Sequence, residues 1–365
     1  MSARSIFSLL DRVGWTKLRH ARFLVAGLGG LGSQAAYYLA AAGVGKIGLV
    51  DFDVVHPSNL QRQIYYRAGD VGRLKAEVLA GRLAELNPEV DVEPYNVKLS
   101  RDNGLEAVGR YDLVVDGTDN YPARYLLSDA CVIMNRPYVF GSIYKFFGQV
   151  SVLSSQGGPC YRCLYPKPPP PGTVPSCADG GVLGPLPGVV GCIQAWEAVK
   201  VFLGFGRPLI GRLLVMDLAA MDFAEIPISR NPECPACGEN PTIQELQDYD
   251  IFCGINPTPS EKEISPLEVK NMIAHGEDVL LVDVRDAVER EICRIEGSIH
   301  IPVDRIWEML DALLEHEKVV LYCHRGVISR MVSEILREMG YGNIWSMKGG
   351  IEGWAETVDP STPVY

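Results

Sequence analysis

The sequence predicts an α/β protein in two parts, a doubly wound parallel sheet followed by a smaller α/β domain. Three observations carry this. Short apolar strands alternate with helical patterns from Arg22 onward, as a parallel sheet covered on both faces requires. A glycine-rich turn joins the first strand of that series to its first helix. The alternation then breaks in a Pro/Gly-rich zone and starts afresh toward the C-terminus. A chain of 365 residues suits two domains of about 150 residues each, or three.

Arg22–Gly27 (RFLVAG) is a short apolar run closed by glycine and reads as a buried strand. Leu31–Ala42 (LGSQAAYYLAAA) has helical spacing and small residues, and Lys46–Asp51 (KIGLVD) is a second strand. Lys75–Leu86 reads as a helix stopped by Asn87-Pro88. Tyr111–Asp116 (YDLVVD) is a further strand, with a helix from about Pro122. Between Cys160 and Gly191 the run PKPPPPGTVPSCADGGVLGPLPG excludes regular secondary structure by its density of proline and glycine. A loop of that length is functional or disordered as a rule. A second irregular zone, from about Gly238 to Ser260, reads as a linker. The expected division is therefore a first domain over 1–245, a linker over 246–261 and a second domain over 262–365. In the last, a helix over Pro266–His275, strands Val279–Val284 and Lys318–Tyr322, and a helix Ser329–Gly340 are expected, with no internal repeat.

At 47% hydrophobic and 22% charged the chain has ample material for a core. The net charge of −11 argues against a nucleic-acid partner, which needs a basic face. Much of the acidity is local, with 11 Lys/Arg against 19 Asp/Glu from Lys262 to Tyr365. No apolar run is expected to reach the ~20 residues that span a bilayer, so no membrane partner is expected. The start, MSARSIFSLLDRVGW, has too short an apolar stretch for a secretory signal. Ten cysteines in that setting read as metal ligands or reactive thiols of a cytoplasmic protein rather than a disulfide framework.

Gly27-Leu-Gly29-Gly30-Leu-Gly32 lies between strand and helix, the setting of the Rossmann-like nucleotide fingerprint. Its glycines let the backbone approach phosphate, and the helix N-terminus stabilises negative charge. Asp51 ends the second strand, 19 residues past Gly32, where a ribose hydroxyl is bound. The alternative is a tight turn with no ligand. The fingerprint alone does not separate NAD from ATP. The stretch Asp51-Phe-Asp53-Val-Val-His-Pro-Ser58-Asn59-Leu60-Gln61-Arg62-Gln63 adds a cation soon after the ribose site, and Lys75 follows at a helix start. Two cations suit a triphosphate with developing negative charge. Asp119-Asn120, in GTDNYPAR, follows the strand Tyr111–Asp116 at the ligand-binding edge; an aspartate there can hold Mg²⁺ against phosphates. The plainer alternatives are a solvated surface for Arg62 and Lys75 and a helix cap for Asp119.

GLGGLGS, DFDVVHPSNLQRQ, GTDN and SCADGGVLG together closely resemble the MoeB/ThiF group of the ubiquitin-activating superfamily, over roughly residues 15–240. The resemblance implies ATP-dependent adenylation of the C-terminal glycine of a small ubiquitin-like sulfur-carrier protein ending in Gly-Gly. It assigns the glycine turn, Asp51, Asp53, Ser58, Asn59, Leu60, Gln61, Arg62, Lys75, Asp119 and Asn120 to ATP and Mg²⁺. Arg62, Lys75 and Asp119 would be catalytic. It also implies a homodimer. The family's opening Arg-x-x-Arg reaches the partner's ATP, whereas here Arg4 is followed by Phe7 in place of the second arginine, leaving Arg4 or Arg12 for that task.

Cys160-Tyr-Arg-Cys163 and Cys234-Pro-Ala-Cys237-Gly238 are two CxxC pairs on turn-forming residues, a pattern that preorganises four sulfurs for tetrahedral Zn²⁺. The alternative is two unrelated pairs, one redox-active. The family carries a structural zinc at these positions. Cys177 stands alone in PSCADGG; it is an idle thiol or, as the family's crossover-loop cysteine, forms a thioester or resolves an acyl-disulfide. Cys131, Cys192, Cys253 and Cys293 carry no motif and read as core or incidental.

In the second domain the strand Lys318–Tyr322 ends in Cys323-His-Arg-Gly-Val-Ile-Ser329-Arg330, which opens a helix. Backbone N–H groups and a helix N-terminus there favour a thiolate nucleophile. Phosphate-ester cleavage would need arginine at 329, where serine stands, so sulfur transfer through a persulfide fits better. Asp283-Val-Arg285, Gly297-Ser-Ile-His300-Ile-Pro302 and Gly349-Gly350-Ile-Glu-Gly-Trp354 resemble the rhodanese family over 262–365, with Cys323 as its active cysteine. Many rhodaneses carry Lys or Arg where Ile328 stands, which makes thiosulfate a poor donor and a cysteine desulfurase the better one, unless His324 and Arg325 compensate. An inactive docking domain is the alternative. The fusion then implies adenylation followed by persulfide transfer to give a thiocarboxylate for molybdopterin, thiamine, cysteine or tRNA thiolation. Two rivals stand beside it: a NAD-dependent oxidoreductase and a non-catalytic carrier-docking protein.

Overall fold

A computed structural model describes residues 12–154, 157–169, 182–254, 262–313 and 315–363. The described chain up to Cys253 packs as one compact unit and the chain beyond it as a second.

In the first unit, β1 (Arg22–Ala26), β2 (Lys46–Val50), β3 (Asp91–Tyr95), β4 (Leu113–Asp116), β5 (Tyr138–Tyr144), β6 (Phe147–Leu153), β7 (Arg212–Asp217) and β8 (Asp222–Pro227) form one sheet in the order β3-β2-β1-β4-β5-β6-β7-β8. From β3 to β5 the pairings are parallel. Strands β6 to β8 add an antiparallel extension that the alternation pattern did not predict. The continuous apolar runs of β1, β2 and β4 are explained by helices on both faces. One core gathers Phe23, Val25, Leu39 and Val190, and the other Leu24, Val114, Tyr125 and Leu127. Because β2 and β4 flank β1, the strand order reverses at β1. The C-terminal ends of β1, β2 and β4 therefore border one crevice, where ligands of such sheets bind. The register sets Ala26 beside both Val50 and Asp116.

The expected irregular stretch Cys160–Gly191 needs correction. A short helix Tyr161–Leu164 lies within it, and a long helix Pro185–Leu203 starts there. Pro185 and Pro187 fall in its first turn, where backbone N–H groups have no helical partner and proline costs nothing. This 19-residue helix is long and apolar enough by length and composition to cross a membrane, contrary to the expectation that no run comes near that length. Its packing is that of a core helix. Gln194 Nε2 donates to Asp116 O (2.6 Å), and Glu197 Oε2 accepts from Leu209 N (2.8 Å). The assigned linker also begins too early, because Leu246, Tyr249 and Cys253 are buried in the first unit's core.

The second unit is a parallel sheet in the order β11-β10-β12-β13-β9, from β9 (Glu263–Ile264), β10 (Val279–Asp283), β11 (Ile299–His300), β12 (Lys318–Tyr322) and β13 (Ile344–Met347). Ser265 and Glu268 form a capping box at the head of the helix Pro266–Ala274. The helix expected at Ser329–Gly340 runs over Val327–Glu338.

Arg162, between the first two paired cysteines, ties the first unit together. Its Nε and Nη2 donate to both oxygens of the fully buried Asp129 in three bonds of 2.8–3.1 Å, and Tyr249 Oη adds a fourth at 2.7 Å. Its guanidinium lies 4.4 Å from the centre of the Phe252 ring. Removing one partner of a buried ion pair leaves an uncompensated charge, at about 3–5 kcal/mol. Asp129→Ala is therefore expected to lower unfolding stability by about that amount in denaturant titration, and Arg162→Met with Asp129→Leu to lose less than either single change.

Candidate functional site

At the crevice the glycine turn serves two purposes. Gly27 has φ +79°, and a Cβ on it would lie 2.7 Å from the carbonyl carbon of Gly117. A Cβ on Gly32 would lie 1.8 Å from Gly27 O, and one on Gly30 would lie 2.8 Å from Pro187 Cβ. Gly27 and Gly32 let backbones touch and Gly30 admits the Pro187 ring; at Gly29 the nearest neighbour to a Cβ is Gln63 Nε2, 3.6 Å away. Gly29 is thus the point at which the turn leaves room for a ligand.

Asp51 locks the turn to the end of β2. Its Oδ2 accepts from Leu28 N at 2.7 Å and its Oδ1 from Asp53 N at 2.8 Å. Burial pushes its carboxyl up from the ordinary range, against the pull of Lys75 and these two bonds. Lys75 is buried, with Nζ 3.1 Å from Asp53 Oδ2, so it is no solvated surface lysine. Ser58 and Asn59 lie on the 3₁₀ turn Pro57–Asn59. Asn59 is buried, and Arg62 Nη1 donates to Ser58 O at 3.0 Å, which folds the guanidinium back on its own turn. Gln61 is exposed and Leu60 half-buried.

Beyond β4, Asp119 and Asn120 are both exposed. The helix cap is Asn120, whose Oδ1 accepts from Ala123 N at 3.0 Å. Asp119 holds no hydrogen bond or ion pair among the described residues, which leaves its carboxylate available. Motif reasoning missed Asp116, the fully buried carboxylate that shapes this loop. Its Oδ1 accepts from Thr118 N (2.8 Å) and Thr118 Oγ1 (2.6 Å), and its Oδ2 accepts from Tyr138 Oη. Burial pushes Asp116 up too, with Arg124 and these bonds opposing. The signal was present in the sequence as an aspartate closing an apolar strand directly before Gly-Thr.

The two CxxC pairs meet. Sγ separations are 3.5 Å for Cys160–Cys234, 3.4 Å for Cys163–Cys237 and 3.9 Å for Cys160–Cys163, and all four sulfurs lie within 4.8 Å of one another. Sulfurs 2.3 Å from a tetrahedral zinc stand about 3.8 Å apart, so the cluster fits that ion and needs little rearrangement. Gly238 closes the second turn, where a Cβ would lie 2.5 Å from Cys234 O. Asn231 N donates to Cys163 Sγ at 3.3 Å. The hydrogen bond with Cys160 lowers the Cys163 thiol from its ordinary range.

In the second unit, Cys323 is 3% exposed at the end of β12, and its Sγ accepts from Ser329 N at 3.4 Å. The loop is walled by the glycine pair of β13's following turn. A Cβ on Gly350 (φ +58°) would lie 2.3 Å from Cys323 O, while Ile351 N and Glu352 N donate to Cys323 O and His324 O at 2.9 and 3.1 Å. Asp283 and Arg285 form a buried pair, joined by Tyr322 Oη on Asp283 at 2.9 Å. His300 Nε2 lies 2.9 Å from Arg285 O. These motif residues bond to one another and to the ends of the neighbouring strands. His324 and Arg325 both meet Glu352: Arg325 Nε donates to Oε2 at 3.0 Å, and His324 Nε2 lies 3.3 Å from Oε1. Ile328 packs against the apolar core.

Cys177, Arg4 and Phe7 lie outside the described residues, as does the side chain of Arg12. Cys131, Cys253 and Cys293 are buried, as expected of core thiols, while Cys192 is half-buried.

Residues 2–236 match the ThiF family and residues 265–357 the rhodanese-like domain. The chain is 38% identical to the Aedes aegypti protein named adenylyltransferase and sulfurtransferase MOCS3, over 100% of this chain and 88% of that one. It is 42% identical to the Mycobacterium tuberculosis protein named probable adenylyltransferase/sulfurtransferase MoeZ, over 96% of this chain and 91% of that one. Among solved structures, E. coli MccB with ATP superimposes with a TM-score of 0.55 at 22% identity, over 62% of this chain and 68% of that one. At that identity the likeness is one of fold.

The four-thiol cluster is testable by itself. Purified protein is expected to carry about one zinc per chain by elemental analysis. Cys234→Ser should lose the metal and lower the unfolding midpoint. Metal-free protein that keeps its midpoint would mean that the sulfurs only pack.

Proposed function

Because the chain belongs to the ThiF family and continues into a rhodanese-like domain, we propose that its two units perform consecutive steps: adenylation of a carrier protein's C-terminal glycine, then sulfur transfer to it. The chain is an adenylyltransferase and sulfurtransferase. The observation that carries the nucleotide half is convergence. Asp51 at β2, the open face of Gly29 after β1, and the unpartnered Asp119 after β4 all border one crevice.

In the first step the carrier's terminal carboxylate attacks the α-phosphorus of ATP and pyrophosphate leaves. The turn and the N-terminus of the helix Gly30–Ala42 offer backbone N–H groups to phosphate. Asp51 orients the ribose. Arg62 and Lys75 balance the charge that grows on the leaving pyrophosphate, where a preorganised cation is worth most. Asp119 would hold Mg²⁺, which supplies further charge neutralisation. Cys160, Cys163, Cys234 and Cys237 would hold Zn²⁺ in a structural role.

In the second step the terminal sulfur of a Cys323 persulfide attacks the acyl carbon and AMP departs, leaving an acyl-disulfide. A second thiol, for which we propose Cys177, then attacks Cys323 Sγ. The thiocarboxylate leaves with the electron pair, and an external thiol reductant resets the resulting disulfide. The persulfide sulfur comes from a cysteine desulfurase or another donor. The carrier is a ubiquitin-like protein ending in Gly-Gly, serving molybdopterin, thiamine, cysteine or tRNA thiolation, and the working form is a homodimer in a reducing compartment.

ATP–pyrophosphate exchange with candidate Gly-Gly proteins, against the same proteins lacking that tail, tests the reading. Exchange that requires the tail is expected; no exchange together with NADH binding would leave an oxidoreductase. Asp119→Ala should abolish exchange while Cys323 still alkylates at the wild-type rate. Asp51→Asn should raise the KM for ATP about tenfold or more, the worth of a charged hydrogen bond. Burial already disfavours the Asp51 carboxylate, so the stability it costs grows as pH rises through its raised pKa. Unfolding of Asp51→Asn at neutral pH should accordingly be no easier than that of wild type.

A further inference from the structure

The two basic residues that follow Cys323 both face carboxylates. Arg325 Nε donates to Glu352 Oε2 at 3.0 Å, and the other oxygen of Glu352 lies 3.3 Å from His324 Nε2. On the opposite side His324 Nδ1 lies 3.7 Å from Glu289 Oε1. The arrangement is rigid on the acidic side. Glu352 stands in the first turn of the helix Gly350–Thr357, and its own N–H donates to His324 O. That helix start is pressed against the Cys323 loop by Gly350, which admits no side chain. Glu352 and His324 are both largely withdrawn from solvent, at 27% and 11% side-chain exposure.

From this arrangement we infer that Glu352, seconded by Glu289, is a specificity-determining residue of the sulfur-transfer site. It neutralises Arg325 and faces His324, and thereby turns away small anionic sulfur donors such as thiosulfate. The inference rests on the sulfurtransferase reading of Cys323. Loading from thiosulfate requires the Cys323 thiolate to attack the sulfane sulfur, forming the Sγ–S bond while the S–S bond breaks and sulfite leaves with the electron pair. A dianion approaching a thiolate needs a free cation beside the nucleophile. Here Arg325 is already paired with a carboxylate, His324 lies beside two more carboxylate oxygens, and residue 328 contributes only an apolar side chain. A neutral or thiol-borne persulfide meets no such barrier.

The full-length protein with Glu352→Gln tests this, because the amide keeps the shape and still accepts from Arg325 while losing the charge. With thiosulfate as donor and cyanide as acceptor, kcat/KM is expected to rise about tenfold, mainly through a lower KM, and the gain should shrink with added salt. In Glu352→Gln/Arg325→Ala the gain should vanish, which a general loosening of the loop would not produce. Polysulfide loading of Cys323, read as a mass increase of one sulfur atom, serves as the control on the reading beneath. Equal loading of wild type and Glu352→Gln with no change toward thiosulfate overturns the role of Glu352 alone. Absence of loading in wild type, as in Cys323→Ala, overturns both that role and the sulfurtransferase reading.

Discussion

The first unit depends on one contact between backbones. Gly27 and Gly32 bring the turn after β1 against Gly117 beyond β4, at separations that a single Cβ would close. The turn cannot sit higher, because Asp51 holds Leu28 N from the end of β2. Three parallel strands therefore end at one level around the turn. The helix Gly30–Ala42 starts there and the Thr118–Asn120 loop faces it. A side chain at Gly27 or Gly32 would push these pieces apart and dissolve the crevice before altering any ligand contact.

The cost of building that crevice is electrostatic. Asp51 and Asp116 are held in poorly solvated positions, and burial raises both carboxyls. Each is retained by backbone and hydroxyl donors rather than by a paired cation alone. Such groups are poor contributors to stability and good at fixing shape, because their bonds are satisfied only in one arrangement. Lys75 follows the same logic, buried along its length with its Nζ 3.1 Å from Asp53 Oδ2. The periphery is secured differently, by the four-thiol cluster and the Arg162–Asp129–Tyr249 network next to it. These tie the chain's return from β8 to the helix Tyr121–Ile133.

The second unit repeats the device on a smaller scale. Gly326 and Gly350 let the loop after β12 and the turn after β13 pass within backbone contact, and Cys323 is fixed at their junction. That closeness also brings Glu352 onto His324 and Arg325 of the loop. The same packing thus positions the nucleophile and sets the charge around it.

Much of this was legible in the chain itself. The glycine turn with Asp51, the paired CxxC turns and a cysteine at a strand-to-helix junction are local patterns. Residue type and short spacing determine what they can do, because a missing Cβ or a thiol on a tight turn acts within a few residues. The helix start at Pro185 misled because proline breaks a helix only past its first turn. Other features join residues far apart in sequence and follow from packing alone: Asp129 with Arg162, 33 residues on, Cys160 with Cys234, 74 on, and Arg325 with Glu352, 27 on. The antiparallel extension β6 to β8 and the role of Asp116 belong to the same class. The sequence by itself determined which groups are chemically able to act. The tertiary structure decided which of them are brought together, left available or neutralised, because burial and charge pairing are properties of neighbours that no local pattern names.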